Sequence, residues 1–241
     1  DFLDALRPAF GSFLGQISLT GARFTYPLGL TLANSFIGDR MALIGDAAAP
    51  LAIIGGGGWN ARARAHFQVF AERLGLPVAT AFRRQDAISP SSKVYAGNLG
   101  YGPNPRLVER VKQADLILAI GARLGEATTD GYTVPSPTAP DRRLVHVHPD
   151  ADELNRVYPA DPAICASMDE FAESAALWDD GAVVDFDAGA EAHREWEEWA
   201  TAHPNGHRLD MGQAVQFMRD TLPADTIICN GAGNFAGWWH R

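Results

Sequence analysis

The chain has 241 residues, of which 46% are hydrophobic and 20% charged, and its formal net charge is −9. This is a globular composition, long enough for one large domain or one domain with parts of its neighbours. The acidic balance repels phosphate backbones and gives no basic stripe for an anionic membrane, so neither nucleic acid nor a membrane surface is expected as a partner.

Residues 1–48 have a character of their own. Asp1-Phe2-Leu3-Asp4 has no basic region followed by an apolar one, so it does not read as a secretory signal. Leu14–Leu19 can form a strand, and Arg40–Ile44 is a short apolar strand that leads into Gly45-Asp46-Ala47-Ala48. The chain lacks an initiator Met and stops at Trp238-Trp239-His240-Arg241 without a polar tail, so both ends read as cut.

From residue 51 to about 160 strands and helices alternate. Leu51–Ile54 is a strand, followed by the glycines Gly55, Gly56, Gly57 and Gly58. A helix is predicted from Asn60, a good N-cap, to Leu74, with Ala63, Phe67, Phe70 and Leu74 on one face and Gly75 ending it. Pro77–Ala81 is the next strand, and a Gly-, Pro-, Ser- and Asn-rich loop runs on to Pro105. A short helix carries Leu107, Val108 and Val111. Leu116–Ile120 is a continuous apolar strand closed by Gly121, and a long loop follows. Leu144–Val147 is another strand, ending in His148-Pro149-Asp150, and a helix is expected over Ala151–Val157. Strands that are apolar on both faces and separated by helices imply a doubly wound, Rossmann-like parallel sheet of about five or six strands. Further on, Ala163–Cys165 reads as a strand and Asp169–Trp178 as a helix. The acidic stretch 179–208 reads as a linker helix, Met211–Leu222 as an amphipathic helix, Asp225–Cys229 as a strand and Asn230–Gly237 as a Gly-rich turn.

Three loops carry possible chemistry. Gly55–Gly58 joins a strand to a helix N-terminus, where exposed N–H groups and a partial positive charge suit phosphate. It is neither the dinucleotide Gly-x-Gly-x-x-Gly, because Asn60 stands at the third glycine position, nor a Walker loop. A ligand-free tight turn is the competing reading. Gly121 turns the chain at the C-terminal edge of the sheet, and Arg123 there suits a phosphate or else a local carboxylate such as Glu126 or Asp130. Asp150 suits a ribose or a helix N-cap. His146 and His148 alternate on one strand face, but no third metal ligand is spaced to join them. Cys165 and Cys229 stand in unrelated contexts and read as reduced thiols of a cytoplasmic protein.

Five blocks in order add a resemblance: Pro50–Gly57, Leu76–Thr80, Tyr95–Gly100, Ala114–Leu124 and Val145–Asp150. They resemble the central domain of thiamine-diphosphate-dependent enzymes of the acetolactate synthase kind, over residues 49–178. Residues 209–241, with Gly233 and Asn234, resemble the start of that family's diphosphate-binding domain, although Phe235 stands where many members have a histidine. The resemblance implies thiamine diphosphate and Mg as cofactors, a 2-oxo acid as substrate and a homo-oligomer. In some members of that family the central domain binds FAD. The three loops follow parallel strands and open on the same edge of the sheet, so bound FAD or another adenine nucleotide is expected with its phosphates near Gly55–Gly58 and Arg123 and its adenosine near His148 and Asp150. The family's catalytic glutamate and its Gly-Asp-Gly…Asn magnesium motif find no counterpart here, so a fragment without turnover of its own is expected. The alternative is an FAD- or nucleotide-binding or structural module. Residues 1–48 resemble instead FAD-dependent aromatic hydroxylases of the ubiquinone-biosynthesis type, through Arg23–Leu28, Arg40–Ile44 and the FAD-contacting pair Gly45 and Asp46. A junction of two unrelated segments is expected near Ala48–Pro50.

Overall fold

The computed structural model describes residues 49–137, 142–178, 187–206 and 209–240. Gly45, Asp46 and the expected packing of residues 1–48 lie outside them.

Six parallel strands form one sheet in the order β3-β2-β1-β4-β5-β6. They are β1 (Pro50–Ile54), β2 (Val78–Thr80), β3 (Tyr95–Asn98), β4 (Leu116–Ile120), β5 (Arg143–His148) and β6 (Ala163–Cys165). The fold is therefore α/β and doubly wound. The order reverses between β1 and β4, which pair in register from Pro50↔Leu116 to Ile54↔Ile120. In such folds this reversal opens the crevice where ligands bind, outside the carboxyl ends of the strands.

Alternation along the strands divides the core into two layers. Ala52 and Ile54 of β1, with Leu118 and Ile120 of β4, face helix α1 (Ala61–Leu74) and helix α3 (Met168–Leu177). Phe67 and Phe70 of α1 and Phe171 of α3 are fully buried there, each worth roughly 1.5–3 kcal/mol of apolar burial. Leu51, Ile53 and Ala119 face the other way, onto Leu107 and Val111 of helix α2 (Pro105–Gln113). Beneath β4 and β5 this second layer is closed by the loop residues Leu124 and Val134 and by Tyr158, whose hydroxyl donates to the Pro135 carbonyl over 3.1 Å.

Local chemistry sets the helix ends. The Asn60 side chain accepts the Ala63 N–H at 2.8 Å, and Gly75, in the left-handed region at φ 60°, closes α1 with its own N–H on the Ala71 and Glu72 carbonyls. Ser167 and Glu170 form a capping box at the start of α3.

Four sequence expectations change. The loop expected to run through to Pro105 contains β3, a strand disguised by Gly97 (φ +108°) and by its polar neighbours. The helix expected over Ala151–Val157 shrinks to one 3-10 turn, Ala151–Glu153, capped by Asp150 onto the Asp152 N–H at 3.0 Å. Within 179–208 a helix forms, α4 (Ala188–Ala200), and it lies on the β3 edge of the sheet. There Trp196 meets Tyr95 edge-on at 4.9 Å, and a ring nitrogen of His193 lies 2.9 Å from the Tyr95 carbonyl oxygen. Covering an edge strand in this way protects its unpaired backbone groups. Asp225–Cys229 is not a strand. It follows helix α5 (Met211–Thr221) as exposed chain, with Ile227 88% exposed, because it reaches no sheet edge to pair with. A short helix α6 (Ala236–Trp239) comes last.

Candidate functional site at the strand reversal

The turns after β1 and β4 meet. The Gly55 N–H donates to the Ile120 carbonyl at 3.0 Å, and the Gly121 N–H to the Val147 carbonyl at 2.7 Å, so both turns are tied to neighbouring strands. A β-carbon added at Gly56 would run into the Gly121 carbonyl oxygen. One added at Gly121, which sits at φ +68°, would stand 2.5 Å from the Gly55 carbonyl oxygen and 2.6 Å from Met168 Sδ. Here glycine is needed for backbone-to-backbone approach. Gly57 and Gly58 lie outside this contact, and nothing stands within 4 Å of a β-carbon at Gly57.

Trp59 seals the junction. Its indole N–H donates to the Gly55 carbonyl at 2.7 Å, its ring packs edge-on to Phe67 at 5.6 Å, and it is buried. The start of α1 also has a companion. Asn60 Nδ2 donates to both carboxylate oxygens of Asp169, each at 2.8 Å. A carboxylate thus stands beside the helix N-terminus, where an anion is favoured. Arg84, from the loop after β2, donates to the Gly56 carbonyl and pairs with Asp86.

Arg123 is paired, as one of its two sequence readings allowed, but with Glu153 rather than Glu126 or Asp130. The distance is 2.6 Å, and Arg156 reaches the same oxygen at 2.5 Å. Arg123 and then Arg156 hold the Glu153 carboxyl down to about 2. Asp150 acts as a cap, and the ring of His148 accepts the Asp150 N–H at 3.1 Å. Beside them His146 Nε2 lies 2.8 Å from the Ala122 carbonyl while its Nδ1 is buried without a partner. Burial keeps its pKa below the usual histidine value.

The structure thus gathers Gly55, Gly56, Gly121, Arg123, His148 and Asp150 at one edge of the sheet. Gly233 and Asn234 stand apart in an exposed turn, with their carbonyls accepting the Ala236 and Gly237 N–H groups. Trp59, Arg84, Glu153 and Asp169 were missed. Only Trp59 had a sequence signal, a large aromatic placed directly after four glycines.

The family model for the central domain of thiamine pyrophosphate enzymes matches residues 37–174. The match starts before the junction expected near Ala48–Pro50 and takes in Gly45 and Asp46. The acetolactate synthase large subunit of Corynebacterium glutamicum is 27% identical over 217 residues, which cover 84% of this chain and 33% of that protein. The sulfoacetaldehyde acetyltransferase of Castellaniella defragrans is 24% identical over 217 residues, covering 80% of this chain and 36% of that protein. The enzyme of the same name from Alcaligenes xylosoxydans xylosoxydans is 37% identical over 83 residues, 34% of this chain and 14% of its own length. The chain spans about a third of the length of the longer-matching relatives.

Proposed function

Because this chain belongs to the thiamine pyrophosphate enzymes, through their central domain, we propose that it serves an acetolactate synthase-like reaction on a 2-oxo acid and contributes scaffold rather than catalytic groups. The observation that carries the proposal is the family match over 37–174, supported by the extended similarity to an acetolactate synthase large subunit. In such a reaction thiamine diphosphate, held with Mg, supplies the electron sink for decarboxylation.

The described residues do not fit that cofactor pair. No group of three His, Cys, Asp or Glu side chains among them is placed to hold a metal ion. Gly233 and Asn234, the residues the resemblance assigns to the diphosphate, stand exposed, and Phe235 beside them offers no side-chain donor. No catalytic step is therefore assigned to these residues. Their contribution is mechanical: a sheet with both faces covered, one edge closed by α4, and a tightly knit strand reversal. Among the described residues no helix is long and apolar enough to cross a membrane.

Two assays test the proposal. The chain alone, with pyruvate, thiamine diphosphate and Mg²⁺, is expected to release no CO₂ above a protein-free blank. Clear turnover would overturn the scaffold role. Residues 49–178 grafted in place of the matching segment of the C. glutamicum acetolactate synthase are expected to keep acetolactate formation. A folded graft of native oligomeric state with no turnover would overturn the acetolactate synthase-like reading.

A further inference from the structure

We infer that the strand-reversal crevice of this domain is filled by the chain's own groups, so that the domain binds no FAD or other dinucleotide and keeps its shape without one. A dinucleotide diphosphate at the switch point of a 3-2-1-4-5-6 sheet needs a gap between the turns after β1 and β4 and free N–H donors at the start of the following helix. The chain's own groups take the inner face of that gap, at Gly56 and Gly121, and the Ala63 N–H of the helix start.

The gap is closed by backbone. Gly56 abuts the Gly121 carbonyl, and Gly121 has Met168 Sδ and the Gly55 carbonyl against it, with no room for a single added carbon. A phosphate is several times larger. Trp59 turns its N–H inward to Gly55, so the polar tip of the largest side chain in the turn serves the turn itself.

The start of α1 is also taken. Asn60 Oδ1 holds the Ala63 N–H, and Asn60 Nδ2 holds the Asp169 carboxylate in the position that an anion would claim. An incoming phosphate would meet like charge there, and the helix end already has its counter-charge. Arg84 and Arg123, which stand at these turns, are bound to the Gly56 carbonyl and to Glu153. The same edge of the sheet that brings the glycines together therefore excludes the ligand for which the glycines alone would argue.

The test uses the whole chain, with circular dichroism to show that it is folded. Titration with FAD and with NAD⁺ up to high micromolar, followed by flavin fluorescence and absorbance and by calorimetry, is expected to show no saturable component. In parallel, the Trp59 indole N–H, assigned through Trp59→Phe, should exchange with solvent at least about tenfold more slowly than that of Trp239, with or without FAD. Saturable binding of FAD or NAD⁺ would overturn the inference, and its loss in Arg123→Ala would place it at this edge of the sheet. A Trp59 N–H that exchanges as fast as Trp239's in the folded chain would also overturn the inference. Neither outcome depends on the turnover assays above.

Discussion

The indole N–H of Trp59 donates to the carbonyl of Gly55, four residues earlier, and this one bond decides how the glycine run is used. A phosphate-binding turn presents N–H groups outward. Here the turn folds back onto its own aromatic, and the glycines serve close approach to the neighbouring turn at Gly121.

That arrangement makes the glycines unequal. Gly121→Ala places a β-carbon against the Gly55 carbonyl and Met168 at a left-handed φ, so it should cost about 2–4 kcal/mol. Gly57→Ala meets nothing within 4 Å and should change stability by less than about 0.5 kcal/mol. Urea unfolding of both variants checks the contrast. Equal losses would mean that the two turns do not interlock.

The α4 helix should behave as part of the sheet. Trp196 packs on Tyr95 and Gly189 donates its N–H to the Gly75 carbonyl at 2.9 Å, whereas residues 223–230 are exposed. Amide hydrogen exchange should therefore protect Ala192–Ala200 together with β3, and should leave 223–230 unprotected. Trp196→Ala should destabilise by about 2 kcal/mol, below the range for a fully buried tryptophan because this one is half-buried. Unprotected α4 amides in the folded chain would detach it from the domain.

Much of this fold was legible because apolar runs on both faces announce buried parallel strands. Leu116–Ile120 and Ala163–Cys165 appear with the predicted bounds, and Asn60 and Gly75 delimit α1 as expected. β3 was illegible because Tyr-Ala-Gly-Asn has no apolar run and pairs only through neighbours brought in by the chain's return. The strand expected at Asp225–Cys229 failed for the converse reason: its residues favour a strand, but no partner edge is at hand. Of the site, the sequence pointed to some of the residues at the strand reversal, Gly55, Gly56, Gly121, Arg123, His148 and Asp150, but also to Gly233 and Asn234, which stand apart from it. It did not show the partners that occupy them, since Glu153 for Arg123 and Asp169 for Asn60 come from distant segments and follow only from the register of β5 and the docking of α3.

Glu153 links two arginines, and its carboxyl is held near 2 against an ordinary value of 4.5. A carboxylate lowered in the folded state adds stability that is complete above the unfolded value and is lost as pH falls through the folded one. The window is therefore about pH 4.5 down to 2. Both arginines are largely exposed, so solvent screens the pair and the effect is modest. Glu153→Gln should flatten the fall in unfolding free energy between pH 5 and pH 3. An unchanged slope would show that the ion pairs do not persist in solution.

His146 acts on the same acid side of the pH profile, at higher pH than Glu153. Its Nε2 faces the Ala122 carbonyl, so that nitrogen carries the proton, and the buried Nδ1 is left bare. A second proton would place a charge in a buried site next to the His148 ring, 6.0 Å away, and burial first and the neighbouring histidine among the lesser causes lower the pKa accordingly. Above an ordinary histidine pKa neither the folded nor the unfolded chain is charged at this position. Below it the unfolded chain takes up a proton that the folded chain refuses, so stability falls as pH drops through the ordinary histidine value of about 6.5, by at most about 1.4 kcal/mol per pH unit for one proton. His146→Gln removes the titrating group and should lose that share of the slope, leaving the contribution of the other histidines. An NMR titration of the His146 ring in the folded chain should find its midpoint below 6.5, and a midpoint at or above that value would show that the ring is not held neutral against Ala122.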